Sequence, residues 1–307
     1  MLISRSNLNR QSQSRAPHWL PDLTKWKGNF IMENVGVLSY ALTGWEFSAV
    51  YNMLSLGIAS MLFTSIFLWF ARDRVLPKYR LAVMVSATVT SIAAYHYFRM
   101  FDSFGHAYGM NESTAVANAA GMALDFGSAN YNVGYRYIDW LLTVPLLLVE
   151  LVAVLGLVKQ VQSSLLKRLV PAAALMIILG YPGDIKSNLF GISNSMWGLL
   201  STIPFLYIMY VLWVELSKSL DKQSEKVRKL FLGLRLLLIA TWGVYPITFI
   251  LAMNSPAVAT GSEVMAREIG YSIADILAKC LFGLIIFSIA RIKSAEDDKA
   301  FAAQEGH

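Results

Sequence analysis

Charged residues are scarce in this 307-residue sequence, where they occupy 15% of positions against 56% for hydrophobic residues. A chain with so little polar surface cannot cover a soluble globule of this size, so the composition predicts a membrane protein. The net charge of +6 is not gathered into a basic face, which argues against nucleic-acid binding. A single cysteine, Cys280, excludes an intramolecular disulfide and a cysteine-based metal site, and we expect no metal.

Seven apolar runs are long enough to cross a bilayer as helices. The runs are Phe47–Phe70, Leu81–Phe101, Asn132–Val158, Leu166–Pro182, Met196–Val214, Leu230–Met253 and Ile269–Ala290. They predict an all-α membrane protein, a seven-helix bundle over residues 46–292. We expect residues 1–45 to form an extracellular tail with room for a short helix, and residues 293–307 to form a cytoplasmic tail. The first residues contain no continuous apolar core, so a secretory signal peptide is not expected there.

Lysine and arginine are concentrated in the links that follow the first, third and fifth runs, for example at Arg72, Lys159 and Lys222. By the positive-inside rule these links face the cytoplasm, which places the N-terminus outside and the C-terminus inside. Basic residues of the N-terminal tail, such as Arg5 and Lys25, run against this assignment. The basic residues of the links outnumber those of the tail, so they decide the predicted orientation. We expect a multi-pass protein of the cell inner (plasma) membrane, in contact with lipid.

Lys279 lies in the middle of the last apolar run, where its charge is costly. An ammonium group at the bilayer centre costs about 2.5 to 3.5 kcal/mol even on insertion scales, and such residues are usually functional and paired. Asp275 precedes it by four residues, one helical turn away on the same face. Arg267 and Glu268, near the outer end of this run, are expected to form an interfacial ion pair, with proton release as the alternative.

The third run carries most of the remaining intramembrane charge. Arg136, Asp139, Thr143 and Glu150 are spaced three, four and seven residues apart, so a helix places them on roughly one face. In the predicted orientation, Asp139 lies on the outer side of the membrane centre and Glu150 on the inner side, about 16 Å apart along the axis. A central amine between two acids can form a directional proton relay. The alternative is an interfacial Arg136–Asp139 pair and a Glu150 that reaches the membrane surface.

Several strings resemble those of the microbial (type 1) rhodopsins. RYIDWLLTVPLLLVE and ADILAKCLFG are similar to the family's third and seventh helices, and MWGLLSTIPFLYIMYVLW and TWGVYPITF to its fifth and sixth. GYPGD and AAYHYFRMF resemble the proteorhodopsin and xanthorhodopsin branch. The resemblance implies a seven-helix photoactive protein in which Lys279 binds all-trans retinal as a protonated Schiff base.

Within this family the transported ion follows the residues at the positions of Asp139, Thr143 and Glu150. Asp, Thr and Glu resemble the outward proton pumps of eubacteria. The resemblance therefore implies that Asp139 accepts a proton, with Thr143 as its neighbour, and that Glu150 donates one from the cytoplasmic side. Asp275 and Arg136 belong to the same charged network. The chain is then a light-driven ion transporter, with a translocase type of activity, and not a classical enzyme.

Other functions stay open. The strings NVGYRY and VMAREIGYSIAD resemble the sodium-pump branch, although sodium pumps carry Asn, Asp and Gln at the three positions. A sensory photoreceptor would use the same chromophore but would not need the inner carboxyl of Glu150. A seven-helix receptor without retinal would not need Lys279.

The resemblance also implies a retinal pocket and a neighbour for the proton acceptor. The pocket positions are Trp140, Leu147, Met176, Trp197, Trp242, Tyr245, Pro246 and Phe249. Each of these residue types is also common in ordinary helix packing. Leu147 stands where green-absorbing proteorhodopsins have leucine, which predicts green absorption. His96 is expected to contact Asp139 and to make pumping sensitive to pH.

Gly198 occupies a position where many relatives carry a bulky aromatic residue. In xanthorhodopsin-like pumps a glycine there opens a window beside the retinal ring, where a carotenoid docks as an antenna. The resemblance implies a site for a hydroxylated carotenoid, and close helix packing is the alternative. Because relatives commonly form rings, a homo-oligomer, a trimer or a pentamer, is also expected.

Overall fold

The computed structural model describes residues 42–108, 131–185, 189–247 and 261–304. Within these ranges seven helices are long and apolar enough to cross a membrane. They are α1 (Gly44–Arg74), α2 (Pro77–Tyr108), α3 (Gly134–Val154), α4 (Lys159–Asp184), α5 (Asn194–Leu220), α6 (Glu225–Ile247) and α7 (Gly261–Asp297). A short helix, α8 at Lys299–Gln304, follows them. The predicted all-α, seven-helix class is confirmed.

Side-chain caps mark where several of these helices begin. Thr43 and Glu46 form a reciprocal capping box at the start of α1, and Ser193 and Ser224 accept hydrogen bonds from the first turns of α5 and α6. Each cap satisfies a backbone N–H that has no partner within the helix. In the apolar runs that follow, a helix is the conformation that satisfies all backbone groups within one segment.

The third helix ends at Val154, four residues before the end of the predicted run Asn132–Val158. Gly156 ends the run because it adopts a left-handed conformation with φ of +62°. A Cβ at this position would lie 3.3 Å from the ring of Tyr79. Hydropathy alone does not register this backbone turn, since the residues on both sides of Gly156 are apolar.

Two of the spanning helices contain a π-helical turn, at Val211–Glu215 in α5 and at Leu277–Leu281 in α7. Such turns insert an extra residue and occur frequently at functional sites. The turn in α7 contains Lys279.

Helices α2, α3 and α7 form the centre of the bundle. More than half of the apolar window of each is buried, against 17% for α4 and 28% for α1. Helix α7 packs against α1, α2, α3 and α6, and α2 packs against α1 and α3. Side chains of α2, α3 and α7 therefore meet away from the lipid-facing surface, where residues such as Phe63 and Leu199 are exposed.

The three basic links lie at one end of the bundle, which we call the basic end. It holds the links between α1 and α2, α3 and α4, and α5 and α6, together with the C-terminal end of α7. The other end, where α2 ends and α3 begins, is called the opposite end.

Gly57 in α1 packs against Tyr97 in α2 without room for a side chain, since a Cβ at position 57 would lie 2.4 Å from the ring. We expect Gly57→Ala to destabilise the protein by about 1 to 3 kcal/mol through overpacking, measured as a lower melting temperature in detergent micelles. Gly233→Ala is the control, because nothing lies within 4 Å of the added Cβ there. Equal melting temperatures for the two variants would contradict this packing.

Candidate functional site

Lys279 is the buried cation at the centre of the bundle, with 1% of the residue exposed. Its Nζ donates hydrogen bonds to Oδ2 of Asp139 at 2.6 Å and to Oδ1 of Asp275 at 2.8 Å. Both carboxyls are also buried. One cation is thus held between two anions from α3 and α7, which compensates the cost of removing it from water.

Asp275 accepts hydrogen bonds from three other helices. The hydroxyls of Tyr97 in α2 and Tyr245 in α6 lie 2.8 and 2.9 Å from its oxygens. The indole N–H of Trp140 in α3 lies 3.1 Å away, and Nη1 of Arg136 lies 3.3 Å from Oδ2. So many donors around one carboxylate stabilise its charged form.

Asp139 has a poorer set of partners than Asp275. Its Oδ2 accepts the bond from Lys279, whereas Oδ1 has no hydrogen-bond partner among the described residues. The carboxyl is fully buried. Its negative charge therefore depends mainly on the neighbouring ammonium group.

Two other residues, His96 and Thr143, were predicted to be neighbours of Asp139, and the structure places both beside it. Nδ1 of His96 lies 4.0 Å from Oδ1 of Asp139, which exceeds hydrogen-bond distance, and 3.0 Å from the backbone oxygen of Ile92. The hydroxyl of Thr143 donates to the backbone oxygen of Asp139 at 2.7 Å. Both contacts shape the surroundings of the carboxyl without a direct hydrogen bond to it.

Glu150 lies further along α3 toward the basic end and is fully buried. The hydroxyl of Ser86 in α2 donates to Oε2, and Oε1 has no hydrogen-bond partner in the described part of the chain. Nor does any described cation lie within ion-pair distance of this carboxyl. A carboxyl without a counter-charge in an apolar interior is stable chiefly in its protonated form. Glu150 is eleven residues, about 16 Å along the helix, from Asp139.

Glu268 forms the expected ion pair with Arg267, but its carboxyl is buried and also belongs to the network around Arg136. Glu268 is 2% exposed, and its shorter contact, 2.7 Å, is to Nη2 of Arg136. Arg267 lies 3.4 Å away, and the hydroxyl of Tyr131 donates to the same carboxyl at 3.1 Å. Arg136 thereby joins Glu268 at the opposite end to Asp275 at the centre.

A cavity of about 420 Å³ opens beside Lys279 between the inner helices and α4, α5 and α6. The predicted pocket residues found in its wall are Trp140, Leu147, Met176, Trp242, Tyr245 and Pro246. Gly198 also lines it, whereas Trp197 is buried but is not among the lining residues. Phe249 lies outside the described residues. The other lining residues are Tyr137, Val144, Ile177, Gly180, Ser195, Leu199, Ser201, Thr202, Phe205, Asp275 and Ala278.

The chain matches a known protein family over most of its length. Residues 48–293, about four fifths of the chain, match the family model described as bacteriorhodopsin-like protein. The chain belongs to the bacteriorhodopsin-like family. It is a multi-pass membrane protein of the ion-transporting rhodopsin type rather than a classical enzyme.

Several members of the family resemble this chain over most of its length. The green-light absorbing proteorhodopsin of Gamma-proteobacterium EBAC31A08 is 29% identical over 235 residues, which cover 76% of this chain and 82% of that protein. Xanthorhodopsin, whose crystallographic structure is that of a light-driven ion pump with dual chromophore, is 44% identical with a TM-score of 0.75. Thermophilic rhodopsin is 42% identical with a TM-score of 0.76. Each structure covers 84% of this chain, which covers 98% of each.

Membership of the bacteriorhodopsin-like family implies a retinal chromophore, and the residues present fit one. Retinal is a rigid apolar polyene with one reactive carbonyl end. The cavity is walled largely by aromatic and aliphatic side chains and reaches Lys279, the buried amine. Apolar walls with a few convergent polar groups are typical of a small-molecule site.

Not every residue of this site could be recognised from the sequence. Tyr97 and Ser86 give no signal in the sequence, because their partners Asp275 and Glu150 come from distant helices. Arg235 lies outside this site, beside Trp213 and Phe231, and does give a signal, since it is a charge within the predicted run Leu230–Met253. It is 5% exposed and donates to Ser217 at 2.9 Å.

Glu268→Gln should destabilise the protein because it removes the carboxylate that Arg136 contacts at 2.7 Å. Asp275 still lies 3.3 Å from Arg136, so the variant loses one buried hydrogen bond between charged groups. We expect a loss of about 2 kcal/mol in the free energy of unfolding, measured by denaturant titration in micelles. The control is Glu225→Gln at an exposed pair with Lys229, where a change below about 1 kcal/mol is expected. Equal losses of stability in the two variants would contradict a larger contribution of the buried pair to stability.

Proposed function

We propose that this protein is a light-driven pump that moves protons outward across the cell inner (plasma) membrane, with the basic end in the cytoplasm. Retinal, linked to Nζ of Lys279 as a protonated Schiff base, supplies the absorption of light and the change of shape that starts each cycle. The likeness of this chain to green-light absorbing proteorhodopsin and to xanthorhodopsin supports this function. The observation that carries it is the unequal surroundings of the two carboxyls at Lys279.

The contacts of the free amine Nζ stand for those of the nitrogen that links the lysine to retinal. Two carboxyls touch this atom, but they differ as proton acceptors. Asp275 accepts hydrogen bonds from three other helices and lies beside Arg136, so its negative charge is well stabilised. Asp139 has one oxygen without a hydrogen-bond partner in the described chain. The proton at Nζ is therefore transferred to Oδ2 of Asp139, and Asp275 stays charged.

Glu150 returns a proton to Nζ from the basic side. The carboxyl is buried with no described cation within ion-pair distance, which keeps the proton on it until it is needed, and Ser86 holds the side chain in place. Asp139 then loses its proton toward the opposite end, and Glu150 regains one from the basic end. One cycle therefore moves one proton away from the basic end. Thr143 has no acidic proton to exchange, which suits a proton pump better than a sodium pump.

Illumination of cells that express the protein should acidify the medium, and a protonophore should abolish the change. The measurement is the external pH of a cell suspension with and without protonophore. Lys279→Ala should lose both colour and transport, whereas the exposed Lys299→Ala should keep both.

Other outcomes separate the alternatives. Light-induced alkalinisation that increases with protonophore would contradict proton pumping and indicate transport of sodium or another ion. A coloured protein that produces no pH change would indicate a sensory photoreceptor. Colour and transport that persist in Lys279→Ala would overturn the chromophore assignment.

The pocket supports two further proposals about absorption. Leu147 lies in the cavity wall and is apolar, so we propose green rather than blue absorption. Gly198 leaves the wall of α5 without a side chain beside the exposed Leu199. We propose that a hydroxylated carotenoid docks there as an antenna, as the dual chromophore of xanthorhodopsin suggests.

Added hydroxylated carotenoid should transfer excitation energy to retinal in the unsubstituted protein. The excitation spectrum should then show the carotenoid bands. Gly198→Trp should remove these bands while retinal absorption remains, because the indole fills the opening. Carotenoid bands that survive in Gly198→Trp, or that never appear, would refute the antenna.

Two further proposals concern the surroundings of the pump. His96 approaches Asp139 to 4.0 Å, so we propose that it tunes this proton acceptor. We also propose a homo-oligomer, a trimer or a pentamer in the lipid bilayer, on the basis of the resemblance to ring-forming relatives.

A further inference from the structure

A second polar cluster lies at the basic end, away from the site around Lys279. Nζ of Lys293 in α7 donates to the backbone oxygen of Leu155 at 3.2 Å and to Oε1 of Gln223. Nε2 of Gln223 also donates to the oxygen of Leu155, at 3.5 Å. We call these three groups the clasp. It joins the ends of α3 and α7 and the link between α5 and α6.

The position of Leu155 explains why a lysine suits the clasp. Leu155 directly follows the last residue of α3, so its carbonyl has no partner within the helix. The C-terminal end of a helix carries partial negative charge, which favours a cation there. Lys293 is 8% exposed, so this cation is removed from most of the solvent.

Neighbouring contacts fix the end of α7 that carries Lys293. Asp297, one turn beyond, accepts from the hydroxyl of Tyr79 at 2.5 Å and pairs with Lys78 at 2.8 Å. The buried hydroxyl of Ser294 accepts from the backbone N–H of Leu76 at 2.9 Å. Asp297 is therefore engaged with α2, and the hydrogen bonds of Lys293 are directed across the bundle to α3.

A buried apolar layer lies between the clasp and Glu150, and it separates this carboxyl from the basic end. The residues between Glu150 and Leu155 in α3 are Leu151, Val152, Ala153 and Val154, each at most 8% exposed. On α7, the residues Ile286, Ile289 and Ala290 that precede Lys293 are fully buried. Glu150 lies five residues, about 7.5 Å along the axis, from Leu155. A proton from the basic side must pass this layer to reach the carboxyl.

We propose that the clasp is the closed state of a gate that controls the access of protons from the basic side to Glu150. Lys293 and Gln223 are positioning residues, since they act by holding α3, α7 and the α5–α6 link together above the apolar layer. The proposal rests on the proposed function, in which Glu150 is the proton donor. Opening the gate requires the hydrogen bonds to Leu155 to break.

Hydrogen–deuterium exchange of the Glu150 carboxyl, followed in the dark by infrared spectroscopy of the complete retinal-bound protein, tests the gate. The carboxylic C=O band is assigned by its loss in Glu150→Gln, and its shift in D₂O reports access. Lys293→Met should speed this exchange about tenfold or more, because a hydrogen bond to a charged group is worth at least that factor in an equilibrium. Lys293→Arg should restore slow exchange, and the exposed Lys299→Met should not alter it.

Gln223→Met provides a second variant should Lys293→Met fail to fold, and it should also speed exchange. A purely structural clasp would lower the melting temperature of Lys293→Met and Gln223→Met and leave the exchange rate of Glu150 unchanged, which would overturn the gate. The absence of a protonated Glu150 band would overturn both the gate and the donor role. Failure of the unsubstituted protein to move protons in light would instead refute the proposed function, because dark exchange does not depend on pumping.

Discussion

The charge of the buried Lys279 is the constraint on which the rest of the site depends. A buried ammonium is tolerated only with counter-charges at contact distance, and both Asp139 and Asp275 lie within 2.8 Å of it. Each of those carboxyls needs partners in turn. The network therefore spreads through Arg136 to Glu268, and α2, α3 and α7 must pack closely around it.

Inequality between the two carboxyls gives the network a direction. Asp275 is surrounded by donors from α2, α3 and α6, whereas one oxygen of Asp139 has no hydrogen-bond partner in the described chain. A symmetrical pair would hold the central cation equally well but would offer no preferred destination for a proton. Glu150 adds a second asymmetry. It is buried on the basic side of Lys279, and no cation of the described residues lies within ion-pair distance of it.

Much of this arrangement could be predicted from local patterns. Apolar runs identify helices because a membrane interior leaves the backbone few other conformations, and Asp275 and Lys279 meet because they are one turn apart on one helix. Tyr97, Ser86 and the contact between Glu268 and Arg136 could not be predicted, since each joins residues far apart in the chain. The end of α3 at Val154 was also missed, because the turn at Gly156 depends on backbone conformation rather than on hydropathy.

The sequence by itself determined that the protein spans a membrane with seven helices and that a lysine and three carboxyls lie inside them. These properties follow from side-chain hydrophobicity and from the helical period, which are local. Only the tertiary structure decided which carboxyl is rich in hydrogen bonds, that Glu268 is buried, and that Lys293 closes the basic end against Leu155. Those properties depend on distances between helices, and such distances are set by the packing of the whole bundle.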